Sequence, residues 1–191
     1  MAQQSIALFP LPSHILPGGK LPLRLFEPNH IEMLKESLIG DCGFGIVMEE
    51  NTATGLCGRI LPVGTRVKVI DFYTLNDGLL GVTVLGMERF YIHELHSDEH
   101  GIKRARVESL PNWPRLSSDN SDEVLVTRLQ DIFAQYPELD ELYPEKRYED
   151  AAWICQRWLE LLPMPVQEKQ GLIAKQNSDA ARQFLHKLIT P

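Results

Sequence analysis

The chain is short of cysteine, of basic charge and of uninterrupted apolar runs, and each shortage closes off a class of protein. Its three cysteines, Cys42, Cys57 and Cys155, are odd in number and widely spaced, with no C-x-x-C pair. Neither a disulfide framework nor a structural zinc site is expected, and each is read as a packing residue in a reducing compartment. Nineteen Lys and Arg against 26 Asp and Glu leave a formal charge of −7. That balance disfavours nucleic acid, whose non-specific binding draws on clustered cations that release counterions. No apolar run reaches the roughly 18 to 20 residues that span a bilayer, and the start lacks the basic region of a signal peptide. A soluble, cytoplasmic protein that uses no membrane is expected.

Several chemical motifs are also missing. Gly18-Gly19-Lys20 fails as a phosphate loop, because His14 stands where its first glycine belongs and Leu21 where Ser or Thr is needed. There is no Gly-x-Ser-x-Gly elbow. His93, His96 and His100 gather beside Glu94, Asp98 and Glu99, yet the flanking residues alternate as strands. His-Ser-Asp-Glu-His-Gly then reads as a hairpin tip, where i, i+4 spacing loses its helical meaning. The acidic run Glu138 to Asp150 reads as a solvated face or loop rather than a paired acid and base. No catalytic residue, metal or cofactor is assigned.

The most informative stretch runs from Ser5 to His30, SIALFPLPSHILPGGKLPLRLFEPNH. Pro10, Pro12, Pro17, Pro22 and Pro28 each remove a backbone donor and push the preceding residue toward extended conformations, so no helix runs through it. Ile6 and Leu8 alternate as one face of a strand, Leu21, Leu23 and Leu25 as that of a second, with a turn at Gly18-Gly19. His30 to Leu38 carries Ile31, Leu34 and Leu38 at helical spacing.

From Phe44 to Leu110 the pattern is strand-like: FGIVM, RVKVIDFY, LLGVTVLG, RFYIHEL and IKRARVESL, with turns between them. Asn76-Asp77-Gly78 predicts a type I′ hairpin turn. Val67, Val69 and Asp71 are expected on one strand face, and Glu50 to Thr65 as a loop with one short strand at most. Leu110 to Asp122, rich in Pro, Ser, Asp and Asn, reads as a connection. Beyond it, amphipathic helices are predicted over Val124–Phe133 and Ala151–Leu162. A third opens at Pro165 and a fourth at Ser178 or Asp179. The expected architecture is α+β: a β-rich subdomain over residues 1–115, then a small helical bundle over residues 116–191.

The motifs themselves resemble a known family. Leu8-Phe9-Pro10-Leu11, Pro17-Gly18-Gly19, the run from Leu21 to Pro28, Phe44 to Val47, Val63-Gly64-Thr65, Asp77-Gly78, Gly86 to Phe90, Leu161-Leu162-Pro163 and Glu168 to Ile173 are similar to the N-terminal domain of Lon proteases across nearly the whole chain. One departure is His30, where many relatives carry tyrosine. The resemblance implies a PUA-like pseudo-barrel with one or two helices ahead of the bundle. It also implies a noncatalytic module that binds protein or unfolded polypeptide, without the ATPase and peptidase of the protease.

The expected polypeptide-binding lining is Leu25, Phe26, Asn29 and His30 from the signature, with Arg89 and Phe90 from a later strand. The pairs Phe26-Glu27 and Arg89-Phe90 fit either such a surface or internal bracing. Two rival readings stay open. One is a small-molecule or metal-dependent enzyme with a pocket between the subdomains. The other is a PUA-like RNA-binding module, whose basic residues would be Lys103, Arg104 and Arg106; nucleic acid is not the expected partner. Oligomeric state is not legible.

Overall fold

The computed structural model describes residues 4–50 and 58–189, which fall into two compact units, Met1–Pro111 and Asn112–Pro191. The first holds β1 (Gln4–Leu11), β2 (Lys20–Leu25), α1 (Pro28–Ile39), β3 (Phe44–Glu50), β4 (Arg59–Thr74), β5 (Leu80–Ser97) and β6 (Lys103–Leu110). The second holds a 3-10 turn at Asn120–Asp122, then α2 (Glu123–Gln135), α3 (Pro137–Leu142), α4 (Ala151–Leu161), α5 (Val166–Ile173) and α6 (Asp179–Ile189). The α+β class is therefore borne out.

The six strands run in the order β2-β5-β4-β3-β1-β6, and β6 also pairs with β5. The pairings return on themselves through β1, β3, β4, β5 and β6, while β2 hangs on the first half of β5. The result is a pseudo-barrel rather than a clean one. Alternation explains how it fills: Leu23, Leu25, Val67, Val82, Val84, Ile46 and Phe44 send their side chains into one cluster capped by Met33 and Leu34 of α1. A second cluster gathers Ile6, Leu8, Val47, Phe90, Ala105 and Val107. Both faces of β1 are buried, since Ile6, Ala7, Leu8 and Phe9 are all sealed. Pro28 begins α1 with a backbone angle already suited to a helix.

Four local expectations need correction. β5 is one strand through Gly86–Arg89, because Gly86 lies against the Leu16 carbonyl where no Cβ fits, and exchanges backbone bonds with Gly18 and Gly19. The expected loop before Thr65 is strand from Arg59 onward; Asn51–Cys57 lie outside the described residues. The Asn76-Asp77-Gly78 turn is not type I′. Gly78 N–H donates to Leu75 O at 2.8 Å, and only Gly78 takes a positive φ, +81°. That is the longer loop ending in a left-handed glycine. Asp71 also leaves the face of Val67 and Val69, because a bulge at Ile70 shifts the register between Val69–Val84 and Asp71–Thr83.

In the helical unit, α4 is buried all round from Ala151 to Leu159, not only along the predicted stripe. Its Arg157 guanidinium lies over the Tyr143 and Trp153 rings, 5.4 and 5.7 Å from their centroids, and pairs with Glu160 at 2.8 Å. Trp158 donates from Nε1 to Leu125 O at 3.1 Å, tying α4 to α2. Buried Asp122 accepts two bonds from Arg182 of α6, both 2.7 Å, and lies 3.1 Å from His186 Nε2. The acidic run folds in part as α3, none of whose residues is buried, as a solvated face requires.

Candidate recognition surface

The structure separates the six expected lining residues into two groups. Leu25, Arg89 and Phe90 are interior, so the expectation that they line a surface is corrected. The reason is packing. Phe90 occupies the space that side chains at Gly45 and Gly64 would fill: a Cβ at Gly45 would stand 2.6 Å from Phe90 Cζ, and one at Gly64 closer still. Arg89 donates from Nη2 to the Pro111 carbonyl, and burial holds its guanidinium down to about 10. Leu25 belongs to the larger core cluster.

Phe26, Asn29 and His30 come together at the start of α1. Phe26 is 62% exposed, and its ring meets His30 edge-on at 6.5 Å between centroids. His30 in turn lies 4.4 Å from the buried Phe9 ring, and its Nε2 is 3.8 Å from Glu27. His30 thus joins an exposed aromatic to the core. Further exposed apolar side chains that sequence reasoning missed are Ile70 and Phe72 of β4, 42% and 50% exposed, and Leu38 and Ile39 at the end of α1. Unbroken alternation from Val67 and Val69 puts Phe72 on the opposite face; the Ile70 bulge sets it beside Val82 instead, at the fringe of the core beyond the end of β3 pairing.

The residues behind the rival readings are engaged elsewhere. Arg104 pairs with Glu36 and Asp98 at 2.6 and 2.7 Å, holding the β5–β6 hairpin tip to α1. Those two acceptors raise its guanidinium further, and the Arg104 bond is the main cause holding Asp98 low. Arg106 pairs with Glu94, and Lys103 donates to Ser97 Oγ at 2.9 Å. His93 Nε2 lies 2.8 Å from Glu108. Among the described residues no three metal-ligating side chains converge. On the helical unit, a groove of about 410 Å³ is walled by Arg128, Asp131, Ile132, Gln135, Trp158 and Ile189. No described helix is long and apolar enough to cross a membrane.

A family model for the substrate-binding domain of the ATP-dependent protease La (Lon) matches residues 5–190. The chain belongs to the Lon substrate-binding domain family. This Lon domain is 27% identical over 133 residues to a Lon protease of Cytophaga hutchinsonii, covering 69% of the chain and 16% of that protein. It is 26% identical over 116 residues to the protein cereblon of Danio rerio, covering 57% and 27%. It therefore spans well under a third of the length of these curated relatives. A Lon N-terminal domain protein from Xanthomonas campestris shares its fold, with a TM-score of 0.75 at 24% identity over 97% of this chain and 99% of that one. The N-terminal domain of a Mycobacterium avium complex Lon protease aligns with a TM-score of 0.67 at 16% identity, covering 98% of each chain.

Proposed function

We propose that this Lon domain is a noncatalytic module that recognises polypeptides through exposed apolar side chains of its sheet-rich portion, residues 1–115, with residues 116–191 as an accompanying helical subdomain. Its partners are proteins or unfolded chains, engaged in the cytoplasm and away from membranes. The observation that carries this reading is Phe26: a large aromatic in the signature that stands 62% exposed beside a sealed core. Such a side chain gains by meeting an apolar partner and is not needed to fill the interior. Family membership points the same way. RNA is the weaker reading, because the guanidiniums of Arg104 and Arg106 already meet carboxylates.

The test uses a reduced, carboxymethylated protein as a permanently unfolded ligand, followed by fluorescence anisotropy. Phe26→Ala is expected to weaken binding by roughly five- to thirtyfold, the value of one lost aromatic contact, with the melting temperature unchanged. Equal binding by the variant and the parent would remove the signature surface from the reading.

A further inference from the structure

β4 outruns the strand beside it. Pairing with β3 begins at the Phe44–Val67 rung, so from Lys68 to Thr74 β4 is paired, among the described residues, on one side only, with β5. Alternation fixes where its remaining backbone groups point. Leu75 N–H donates to Leu79 O across the hairpin, whereas Gly86 bonds with Gly18 and Gly19 on the other side. Odd-numbered β5 residues therefore face β4 and even-numbered ones face away. The bonded rungs are Lys68–Leu85, Asp71–Thr83 and Tyr73–Gly81, and the N–H and C=O groups of Val69, Phe72 and Thr74 point outward.

One outward donor is already occupied. Phe72 N–H donates to Oδ1 of Asp71 at 2.9 Å, the place where an added strand would put a carbonyl. Asp71 pairs with no cation among the described residues. Apolar Ile70 and Phe72 flank it, both exposed. The opposite edge of this sheet is less receptive. By the same alternation Pro22 of β2 faces outward and has no N–H to offer, and Arg24 is tied to Asp77.

We propose that the β4 edge from Val69 to Thr74 docks an extended polypeptide in which apolar and basic residues alternate. The peptide's carbonyl takes Phe72 N–H in place of the Asp71 carboxylate. Its apolar side chains lie along Phe72, and a basic side chain meets the released carboxylate. Only an extended backbone offers both donors and acceptors at strand spacing, and the uncompensated Asp71 charge selects lysine or arginine over acid. This inference rests on the polypeptide-recognition reading and names its ligand class.

The test uses the full chain and a labelled, end-blocked Val-Lys-Val-Lys-Val-Lys peptide. Anisotropy measures binding, and hydrogen exchange follows the Thr74 amide. Binding that slows Thr74 exchange is expected. A version N-methylated at alternate residues is expected to bind at least about tenfold more weakly, since it loses its rungs. Asp71→Asn keeps an acceptor for Phe72 but no charge; it is expected to cost the lysine peptide about two- to fivefold and to abolish its advantage over a Val-Glu counterpart. Equal binding of the N-methylated peptide, or unchanged Thr74 exchange, overturns the proposal. If the carboxymethylated protein still binds through Phe26 while the lysine peptide does not, this inference alone fails. If neither binds, the recognition reading fails with it.

Discussion

Phe90 and Phe26 look alike in the sequence, each beside a charged residue in a short extended run. What distinguishes them is across the sheet: Gly45 and Gly64 open the space that Phe90 fills, and only strand pairing brings them there. Phe90→Ala is expected to cost about 3–5 kcal/mol in urea unfolding, and Gly64→Ala about 1–3 kcal/mol through overpacking. Phe26→Ala is expected to stay within about 0.5 kcal/mol. A Phe90 variant that kept full stability would contradict the interior placement.

Cys155 offers a second test. Burial pushes its thiol up to about 12, so the folded state holds a proton that the unfolded chain gives up near pH 9. Its contribution to stability is full below that pH and is lost as pH rises toward 12. In a Cys42→Ser, Cys57→Ser background, the native protein is expected to resist a thiol reagent at pH 8 and to react at once in denaturant. Rapid native labelling would show that the thiol is accessible. Cys42 itself is exposed rather than a packing residue, whereas Cys155 is buried as expected.

Elements were legible where one periodicity ran uninterrupted. Pro28 and the Ile31, Leu34 spacing fixed α1, and Pro165 and Asp179 marked the helices they begin. The misreadings share one cause, tertiary contacts that override local signals. The step from Gly86 to Arg89 reads as a turn but is continuous strand, with Gly86 pressed to the Leu16 carbonyl, and the Ile70 bulge leaves no mark in the alternation. The candidate surface was half legible: the Phe-Glu-Pro-Asn-His signature pointed to Phe26, Asn29 and His30. The β4 edge depends on where β3 ends, a fact about pairing.

Long-range ion pairs were equally hidden, among them the tie between buried Asp122 and Arg182. Side-chain bonds to Asp122 and Asp119 raise the Arg182 guanidinium, and Asp119 is held well below the usual carboxylate range by Ser121 first and Arg182 second. Arg182→Ala leaves the 1% exposed Asp122 without its cation. Destabilisation of about 3–5 kcal/mol is expected by chemical denaturation. A loss under about 1 kcal/mol would mean that the pair is a solvated ornament of the helix ends.

For the molecule as a whole, the charge of −7 and the internally satisfied basic strand argue together. Excess single-stranded RNA is expected to leave a bound unfolded polypeptide in place at physiological salt. Displacement that weakened steeply with salt would favour the RNA reading. The Lon-domain match covers nearly the full chain, so recognition and fold are claims about one family domain, within which each unit can be probed.

All three tryptophans, Trp113, Trp153 and Trp158, are buried in the Asn112–Pro191 unit. The sheet-rich unit is consequently dark to tryptophan emission, and the molecule carries a one-sided optical reporter. A thermal melt read by tryptophan wavelength follows the helices alone, while the same melt read by tyrosine absorbance or by strand circular dichroism includes the sheet. Coincident curves would make the two units one cooperative body, and displaced curves would rank them in order of melting from a single unlabelled sample.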